Sequence, residues 1–408
     1  MEKLQSAFGL LVLLGIAWSL STDRRRINWR AVFFGTALQL VFAVLILRTE
    51  PGRRLFDRMG VVVNAFLDMA DRGSIFVFGE AFRDHFIVFK VLPTIIFFSS
   101  FITVLYYLGV MQWIVKGFAW VTMRLMRTSG AESLSAAANI FVGHTEAPLL
   151  IRPYMKTLTR SELMAVMTGG FVTIAGGVMV VYIGILEPRF PDIAGHLIAA
   201  SVMGAPAGLV MAKLMLPETE ESLTAGTVRL EVERPWSNVI DAAAEGATTG
   251  LGLALNVAAM LLAFLGLLAL INAGLGWAGG LVGFPQLTIE FILGWLCRPL
   301  AWVLGVEWAE SADVGALIGI KTAATEMVAY LRMGEMIDAG QLSERSQVIA
   351  TYALCGFSNF ASIAIAIGGI GALAPERKSE VAELGLRAMV GGSLACFQTA
   401  VIAGMLVP

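Results

Sequence analysis

Charged side chains are scarce in this chain of 408 residues: they make up 15% of it, whereas 57% of the residues are hydrophobic. Soluble domains carry roughly 25% charged residues, so too little polar surface remains here for a water-soluble particle. Lysine plus arginine number 29 against 31 for aspartate plus glutamate, a balance that gives no indication of a nucleic-acid partner. With a mean hydropathy of +0.77, the chain is expected to lie in a lipid bilayer.

Cysteine is rare as well, and catalytic signatures are missing. The three cysteines, Cys297, Cys355 and Cys396, lie far apart and form no CxxC pair, which leaves metal or redox chemistry without support. The sequence holds no GxxxxGKS/T phosphate loop, no HExxH zinc motif and no GxSxG nucleophile elbow. Nothing in it therefore indicates drive by ATP or an enzyme, and no cofactor is expected.

Apolar stretches of roughly 20 residues, the length of a membrane-spanning helix, predict an all-α polytopic membrane protein with about eight transmembrane helices. We place the spans near 5–21, 31–48, 86–108, 162–185, 194–215, 249–273, 347–372 and 384–406. The first is interpreted as a span and not as a removable signal, since no small-residue cleavage site is obvious. The short basic loop 23–30 is expected in the cytoplasm, which places both termini outside.

Two further segments have the spacing of amphipathic helices that lie in the membrane interface. The first is 55–72, where Asn64, Asp68 and Asp71 recur at helical spacing. The second is 111–126, which contains Trp113, Lys116, Trp120 and Arg124. The stretch 216–235 is rich in Glu, Thr and Ser, and it is predicted to be the longest soluble loop.

Two stretches are too polar to span a bilayer and too apolar to be loops, 130–157 and 285–335. In the first, residues 143–148 break the helical pattern and leave two arms of about 12 residues, or about 18 Å of helix each. We interpret both stretches as re-entrant helical hairpins, which occur at bilayer depth only where protein or a water-filled cavity surrounds them. Each precedes an interrupted span, 162–185 or 347–372, and this internal repeat is typical of secondary transporters.

Glu146 and Glu326 carry most of the functional argument. An acid at the centre of a membrane helix costs about 2.5–3.5 kcal/mol, so it persists only with a partner or in a wet cavity. Each follows a threonine, and a carboxylate beside a hydroxyl suits the hydroxyls of a sugar and the N–H groups of a base. The alternative is a structural ion pair, for instance with Arg152 or Lys321.

Three other polar positions interrupt apolar helices. Asn359 and Ser362 indicate local unwinding, with helix packing by small residues as an equal alternative. Thr173-Ile-Ala-Gly-Gly177 offers freed carbonyls and a hydroxyl, a hard oxygen cage suited to Na⁺, although a packing glycine pair is the commoner reason for such a pattern. His144 is predicted to contact the ligand or the coupling ion, and its alternative is a hydrogen-bonded core histidine.

Three motifs together resemble the concentrative nucleoside transporter family, in its eight-span bacterial form. They are Gly143-His-Thr-Glu-Ala-Pro-Leu149, Lys321-Thr-Ala-Ala-Thr-Glu-Met-Val-Ala-Tyr330 and Cys355-Gly-Phe-Ser-Asn-Phe-Ala-Ser-Ile363. They match the family patterns G-Q-T-E-A-P-L, K-T-x-x-N-E-F-V-A-Y and C-G-F-x-N-F-x-S-I, in order and along nearly the whole chain.

This resemblance implies a homotrimer in the bacterial inner membrane, in which each protomer has a scaffold and a mobile transport domain made of two inverted repeats. Residues 1–128 would be mainly scaffold with an interfacial helix, and 129–193 would be the first transport repeat. Residues 194–275 would hold a span, the soluble loop and a scaffold span. Residues 276–408 would form the second repeat and the last span.

The resemblance also implies a substrate and an ion site. The nucleobase would face His144, Thr145 and Glu146, with Val178 beside them. The ribose would be held by Glu326, Asn359 and Ser362, with Phe357 nearby. The sodium site would use Asn139, the side chain and carbonyl of Thr173, and the carbonyls of Val142 and Ile174.

Two residues depart from the family pattern: His144 stands in place of the usual Gln, and Thr325 in place of the usual Asn. The choice among pyrimidine, purine and modified nucleosides is therefore left open, and His144 is expected to make transport depend on pH near neutrality. The resemblance predicts a nucleoside importer that works by alternating access, with Na⁺ favoured over H⁺ as coupling ion. The alternatives are an intramembrane enzyme acting on a lipid or nucleotide, and a passive channel for a small polar solute.

Overall fold

The computed structural model describes residues 2–80, 82, 89, 90, 92–226 and 236–407, without the side chains at 53, 55–57, 59, 60, 63, 64 and 260. Over this part the chain is helical and forms no strand, which confirms the predicted all-α class. The α-helices are α1 (Glu2–Ser19), α2 (Trp29–Arg48), α3 (Glu50–Phe78), α4 (Leu92–Leu108), α5 (Val110–Met126), α6 (Gly130–Ala138), α7 (Arg160–Val172), α8 (Gly176–Leu186), α9 (Ile193–Met215), α10 (Val239–Leu281), α11 (Ile289–Val303), α12 (Ser311–Ala323), α13 (Glu326–Asp338), α14 (Glu344–Leu354), α15 (Phe360–Leu373) and α16 (Lys378–Leu406). A 3₁₀ helix, Ala147–Tyr154, lies between α6 and α7.

Long apolar helices confirm a polytopic membrane protein. Within the described residues, five are long and apolar enough to cross a bilayer, and they are Trp29–Arg48, Arg160–Leu186, Ile193–Met215, Val239–Leu281 and Pro375–Leu406. The pair α4 and α5 would make a sixth, but a bend of 78° separates its two parts. The predicted spans 5–21 and 347–372 are helical too, as α1 and as the interrupted pair α14 and α15.

The two predicted interfacial segments both lie in helices. Segment 55–72 is part of α3, which extends beyond it at both ends, and the side chain of Asn64 falls outside the described residues. Segment 111–126 forms α5, which buries one face while Trp113 and Trp120 on the other face are 79% and 61% exposed. Because α5 leaves α4 at a steep angle and has two distinct faces, it has the geometry of a helix that lies along the membrane surface.

Helices α4 and α10 pack closely against each other. The contact uses Gly246-Ala-Thr-Thr-Gly250, a GxxxG pattern that lets helix backbones approach. A Cβ on Gly246 would lie 2.8 Å from the Cα of Ser100, and one on Gly250 would lie 2.8 Å from the Cα of Ile96. Helix α10 is far longer than the predicted span 249–273, since its 43 residues cover about 65 Å and must tilt or extend beyond the bilayer.

Hairpin 1, predicted over 130–157, is more irregular than expected. Its first arm, α6, ends at Ala138, five residues before the predicted break at Gly143. Its second arm is a 3₁₀ helix of 8 residues, because Pro148 and Pro153 lack the N–H groups that a regular α-helix needs. The arms are therefore shorter than the predicted 12 residues.

The predicted soluble loop 216–235 is folded against hairpin 1 over its described part, and 227–235 lie outside the description. The N–H of Gly130 donates to the carbonyl of Thr224 at 2.9 Å. The hydroxyl of Thr159 donates to Glu218 at 2.8 Å. Residues 217–226, the hairpin-1 loop, thus hold both ends of the hairpin at one face of the protein, as a re-entrant segment requires.

Hairpin 2 is shorter than the predicted 285–335. That stretch begins with the separate helix α11, which ends before Gly305, where φ is 104°. The hairpin itself consists of α12 and α13, with its tip at Ala324 and Thr325. The hydroxyl and N–H of Ser343 donate to Glu310 at 2.9 and 3.1 Å, which ties its two ends together.

The two hairpins start from opposite faces of the protein. The hairpin-1 loop touches the basic loop 23–30, where Arg26 donates to the carbonyl of Thr219 at 3.3 Å, and we call this side the basic face. Beside the ends of hairpin 2, Arg345 contacts Glu2 at 3.3 Å and the carbonyl of Val407 at 3.2 Å, at the far ends of α1 and α16. We call this side the opposite face.

The interruptions of the two broken spans, α7–α8 and α14–α15, meet in the interior. The N–H of Phe357 donates to the carbonyl of Thr173 at 3.3 Å. Gly356, in the interruption between α14 and α15, has a φ of 154°. A Cβ at this position would lie 2.7 Å from the carbonyl oxygen of Phe171 and 2.6 Å from Sγ of Cys396. Only glycine allows this approach of two backbones, so the helix ends of both spans converge on one point.

Candidate functional site

Glu326 lies buried at the tip of hairpin 2, as the first residue of α13. Thr325 caps this helix by accepting a hydrogen bond from the N–H of Val328. The Tyr182 hydroxyl donates to Oε1 of Glu326 at 2.7 Å, and the Asn359 amide donates to Oε2 at 2.8 Å. The carboxylate is therefore held by two neutral donors from the two broken spans.

Asn359 connects hairpin 2 to the second broken span. While its amide binds Glu326, its carbonyl oxygen accepts the N–H of Ser362 at 2.9 Å and so caps α15. Lys321 donates to the carbonyl of Ala353 at 2.8 Å. Within the described part of the chain Lys321 makes no ion pair with Glu326, which argues against the structural ion pair as the reason for this buried acid.

Glu146 lies in a different setting, at the tip of hairpin 1. Its Oε2 accepts the N–H of Gly143 at 2.9 Å, and its side chain is exposed to a cavity of 460 Å³. Helices α4 and α10 form one wall of this cavity, through residues such as Tyr106 and Glu245, and hairpin 1 and the start of α8 form the other. Among the described residues Glu146 has no ion-pair partner, so its second oxygen is available to a ligand.

His144 stands between two aromatic rings. Its ring centroid is 5.1 Å from that of Phe357, edge to face, and 6.5 Å from that of Phe171. Both ring nitrogens are shielded from solvent and lack a hydrogen-bond partner among the described residues. An unpaired buried polar group costs about 1–3 kcal/mol, which favours a ligand as the missing partner. Gly170 makes room for this ring, since a Cβ there would lie 2.5 Å from the Cβ of His144.

The remaining predicted substrate residues lie at hairpin 1 and in the first turns of α8 and α15. Thr145 packs on α15, where a Cβ on Gly369 would lie 3.0 Å from its methyl group. Val178 is buried in the first turn of α8. Ser362 is buried in the first turn of α15.

The predicted sodium ligands are also brought together. Asn139 ends α6, and its amide donates to the carbonyl of Ser135 at 3.0 Å while its side-chain oxygen is buried without a partner among the described residues. The hydroxyl of Thr173 donates to the carbonyl of Gly169 at 3.1 Å. The lone pairs of the Thr173 oxygen therefore remain available to coordinate a cation. An orphan amide oxygen beside a helix break suits Na⁺, which prefers oxygen ligands.

The other two predicted sodium ligands lie beside the same helix break. The N–H of Gly176 donates to the carbonyl of Phe141 at 3.1 Å, so the tip of hairpin 1 lies against the break between α7 and α8. Val142 follows Phe141, and Ile174 lies within that break. No backbone hydrogen bond to the carbonyl of Val142 or Ile174 is present in the described loops and turns.

Among the described residues, Glu326 is not part of the lining of the cavity beside Glu146. The two acids are therefore not both exposed to this cavity. They are connected instead through the second broken span, since Phe357 contacts His144 at the first tip and Asn359 binds Glu326 at the second. A ligand bridging the two tips would therefore lie against residues 355–359.

Sequence reasoning missed Tyr182, which binds Glu326 from the first broken span. A signal was present, because a tyrosine hydroxyl in the middle of an apolar helix needs a hydrogen-bond partner. Tyr330 stacks near it, with ring centroids 4.6 Å apart, and its hydroxyl donates to the carbonyl of Thr351 at 2.9 Å. The two tyrosines form the buried wall behind Glu326.

Comparison with known families accounts for most of the chain. The family model described as "Na+ dependent nucleoside transporter C-terminus" matches residues 196–404, and the corresponding N-terminus model matches 8–81. A third, described as "Gate: Nucleoside recognition", matches 88–189, which includes hairpin 1.

Similar proteins occur in animals and bacteria. Solute carrier family 28 member 3 of Homo sapiens is 43% identical over 419 residues, which cover 99% of this chain and 60% of that protein. Sodium/nucleoside cotransporter 1 of Rattus norvegicus is 42% identical over 427 residues, with 99% and 64% covered. The chain thus spans less than two thirds of these animal relatives. An uncharacterized transporter of Haemophilus influenzae is 45% identical over 416 residues, with 100% and 98% covered.

Solved structures of the protein CNTnw have the same fold. Its inward-facing substrate-bound state matches with a TM-score of 0.92 at 44% identity, covering 100% of this chain and 98% of that one. A variant in an intermediate state matches with a TM-score of 0.94 at 44% identity, with 100% and 99% covered. With three family models matched in chain order and relatives above 40% identity over its full length, the chain belongs to the Na⁺-dependent nucleoside transporter family.

Proposed function

We propose that this protein imports nucleosides by coupling their movement to Na⁺ through alternating access. The observation that carries the proposal is the buried carboxylate of Glu326, held by Tyr182 and Asn359 at the point where both broken spans meet hairpin 2. An ionised carboxylate only accepts hydrogen bonds, which suits the hydroxyls of a ribose. We assign the ribose to Glu326, Asn359 and Ser362, with Phe357 beside it.

The nucleobase is assigned to the tip of hairpin 1. His144 offers two unpaired nitrogens and an aromatic neighbour in Phe357. Thr145, Glu146 and Val178 complete this side of the site. A neutral imidazole has one donor and one acceptor, which matches the mixed donors and acceptors on the edge of a base.

Na⁺ is assigned to Asn139, the side chain and carbonyl of Thr173, and the carbonyls of Val142 and Ile174. The side-chain oxygen of Asn139 supports this assignment, because it is buried and accepts no hydrogen bond among the described residues. A bound cation would compensate such a buried acceptor. One positive charge moving inward gains about 2.3 kcal/mol per 100 mV, which is enough to concentrate a neutral solute. Since ion and substrate share the tip of hairpin 1, each raises the affinity for the other.

Alternating access is supported by the similar protein CNTnw, whose structures include outward-facing, intermediate and inward-facing substrate-bound states. In this chain the cavity of 460 Å³ lies between hairpin 1 and the helices α4 and α10. This cavity is the proposed route between the binding site and the aqueous phase. Movement of the hairpins against α4 and α10 would open and close that route. We therefore place α4 and α10 in the scaffold and both hairpins with their broken spans in the transport domain.

The assembly and its orientation are part of the same proposal. The basic face, with Arg24, Arg25 and Arg26, is cytoplasmic by the positive-inside rule. Both chain ends then lie outside, in the inner membrane of a bacterium. Helix α10 leaves an apolar face uncovered, on which Leu262 is 79% and Leu270 is 69% exposed. Contact between three copies along scaffold helices would cover such a face.

Counterflow of labelled nucleosides in liposomes tests the function. Vesicles preloaded with unlabelled uridine or adenosine should accumulate the labelled compound transiently above equilibrium, and Na⁺ should accelerate this. A channel would give no accumulation above equilibrium, and an enzyme would return a chemically altered compound. Counterflow that is indifferent to Na⁺ and accelerated by a lower external pH would replace the sodium assignment with protons.

A further inference from the structure

A charged cleft of 860 Å³ lies at the basic face, apart from the transport site. It opens between the start of α2, the end of α5 and the hairpin-1 loop 217–226. Six of its lining residues decide its chemistry, and they are Asn28, Arg30, Arg124, Arg127, Glu220 and Glu221. We call it the basic-face cleft. None of the nucleoside or sodium residues assigned above lines it.

Three guanidinium groups supply its positive charge. Arg30 donates through Nε to the carbonyl of Leu125 at 3.1 Å, which fixes the first turn of α2 against the end of α5. Arg124 and Arg127 are exposed and form no ion pair within the described residues. Their guanidinium groups are therefore available to an anion, and planar pairs of N–H donors bind phosphate oxygens well.

The remaining charges of the cleft fall into two sets. Lys213 is buried and forms ion pairs with Glu132 at 2.7 Å and with Glu218 at 3.4 Å. Glu220 and Glu221 are exposed on the hairpin-1 loop, and the described residues give neither of them an ion-pair partner. The cleft thus presents three arginines and two glutamates. Oε1 of Glu220 also accepts the N–H of Arg160 at 3.4 Å, whereas Glu221 has no hydrogen-bond partner among the described residues.

The position of the cleft on the molecule suits contact with lipid headgroups. Helix α5, which has the geometry of a helix lying along the membrane surface after the 78° bend, ends at the cleft. Trp29 at the start of α2 is 58% exposed and Trp120 on α5 is 61% exposed. Tryptophan side chains at such positions anchor a protein at the level of the headgroups. A lipid can therefore reach the cleft from the surrounding leaflet.

We propose that the basic-face cleft binds the headgroup of a phospholipid that carries both a phosphate and a primary ammonium, as phosphatidylethanolamine does. Arg124 and Arg127 would bind the phosphate, with Arg30 beside them. Glu220 and Glu221 would accept hydrogen bonds from the ammonium. A trimethylated ammonium has no N–H to donate, and a glycerol headgroup has no positive charge, so both should bind less well.

Lipid retention tests the proposal directly. The purified protein, in nanodiscs with equal amounts of ethanolamine, choline and glycerol phospholipids, is released and examined by native mass spectrometry. The wild type should retain the ethanolamine lipid at least tenfold over the choline lipid. The double variant Arg124→Gln, Arg127→Gly should lose this preference, and glycine at 127 suits the φ of 54° found there.

Arg25→Gln is the matched control. Arg25 is exposed on the same face but does not line the cleft, so its loss should leave the preference unchanged. Equal retention of all three lipids by the wild type would overturn the proposal, as would an undiminished preference in the double variant. Preference for the glycerol lipid would show that phosphate alone is recognised, and thermal stabilisation by inorganic phosphate equal to that by the lipid would show a free-anion site. Either result would also overturn it.

Residues 227–235 follow Gly226 at the rim of the cleft in sequence, and they lie outside the described part of the chain. Their charged residues Arg229, Glu231, Glu233 and Arg234 are replaced by serine as a second test. The ethanolamine preference should persist in that variant, and its loss would assign the preference to these residues and overturn the proposal. The transport proposal is independent of either outcome, because counterflow measures a different site.

Discussion

The hydroxyl of Tyr182 lies 2.7 Å from Oε1 of Glu326, and 144 positions separate the two residues in the chain. Tyr182 belongs to the first broken span and Glu326 to the second hairpin. Their hydrogen bond therefore joins the first broken span to hairpin 2 directly behind the proposed ribose position. The same hydrogen bond connects Glu326 to α8, which begins two residues after Ile174 of the proposed sodium site.

Replacing Glu326 by Gln should weaken nucleoside binding by about 10- to 100-fold, because hydrogen bonds to a charged group contribute about 1.5–3 kcal/mol. The amide would also present an N–H₂ group to the donors Tyr182 and Asn359. Isothermal titration with uridine and adenosine measures the change. Asp338→Asn is the control, since Asp338 ends the same helix and pairs with Arg189 at 2.7 Å outside the site. Unchanged affinity in Glu326→Gln would remove Glu326 from the binding site.

Tyr182→Phe should lower nucleoside affinity by roughly tenfold while the protein remains folded, because one of the two donors to the carboxylate is lost. Binding affinity and thermal unfolding should be measured on the same preparation. Tyr330→Phe is the matched control, since it also loses a buried hydroxyl bond but one made to a backbone carbonyl. If both variants weaken binding equally, the effect comes from packing and not from the contact with Glu326.

Asn139→Ala should raise the Na⁺ concentration for half-maximal uptake at least tenfold, since it removes the orphan side-chain oxygen. Asn139→Asp keeps an oxygen at that position and should retain Na⁺ dependence. Ser135→Ala is the control, because Ser135 lies one turn earlier on the same helix and its buried hydroxyl also has no hydrogen-bond partner among the described residues. An unaltered Na⁺ titration in Asn139→Ala would place the ion elsewhere.

His144→Gln should change the ratio of purine to pyrimidine uptake, because an amide presents its donor and acceptor in a different geometry from an imidazole. Any pH dependence of uptake between pH 6 and 8 should also flatten, since Gln does not titrate. Competition by a panel of unlabelled nucleosides at several pH values measures both effects. If selectivity and pH profile both stay the same, His144 is a packing residue.

Gly356→Ala should abolish transport and lower the thermal stability, since its Cβ would lie 2.7 Å from the carbonyl oxygen of Phe171 and 2.9 Å from that of Val172. Overpacking of this kind costs about 1–3 kcal/mol. Gly368→Ala on α15 is the control, because a Cβ there meets no atom within 4 Å. Uptake by Gly356→Ala at the wild-type rate would show that the two interruptions tolerate separation.

Much of the architecture could be predicted because membrane helices are specified by local composition. The interruptions at Thr173 and at Cys355 were visible as polar residues and glycines within apolar runs. The acids at 146 and 326 stood out because charge is costly in a bilayer. The three long motifs then connected these positions to a family.

What could not be predicted depends on contacts between distant segments. The bond from Tyr182 to Glu326 is a tertiary contact, and no local pattern specifies it. The early end of α6 is capped by Asn139, whose side-chain amide donates back to the carbonyl of Ser135 at 3.0 Å. The hairpin-1 loop looked soluble because it is rich in Glu and Thr, yet Glu218 and Thr224 bind the helix ends of hairpin 1.

The contacts of Arg345 with Glu2 and with the carbonyl of Val407 bring both ends of the described chain to one guanidinium group. The protein therefore suits circular permutation, in which a short linker joins these two ends. New ends would then be made at the exposed turn after α13, where Gly340 has a φ of 66°. That turn lies on the same face as the joined ends, so the rearranged protein would cross the bilayer as many times as before. Hairpin 2 would then be completed last during synthesis, which would reveal whether hairpin 1 and its broken span insert correctly without it.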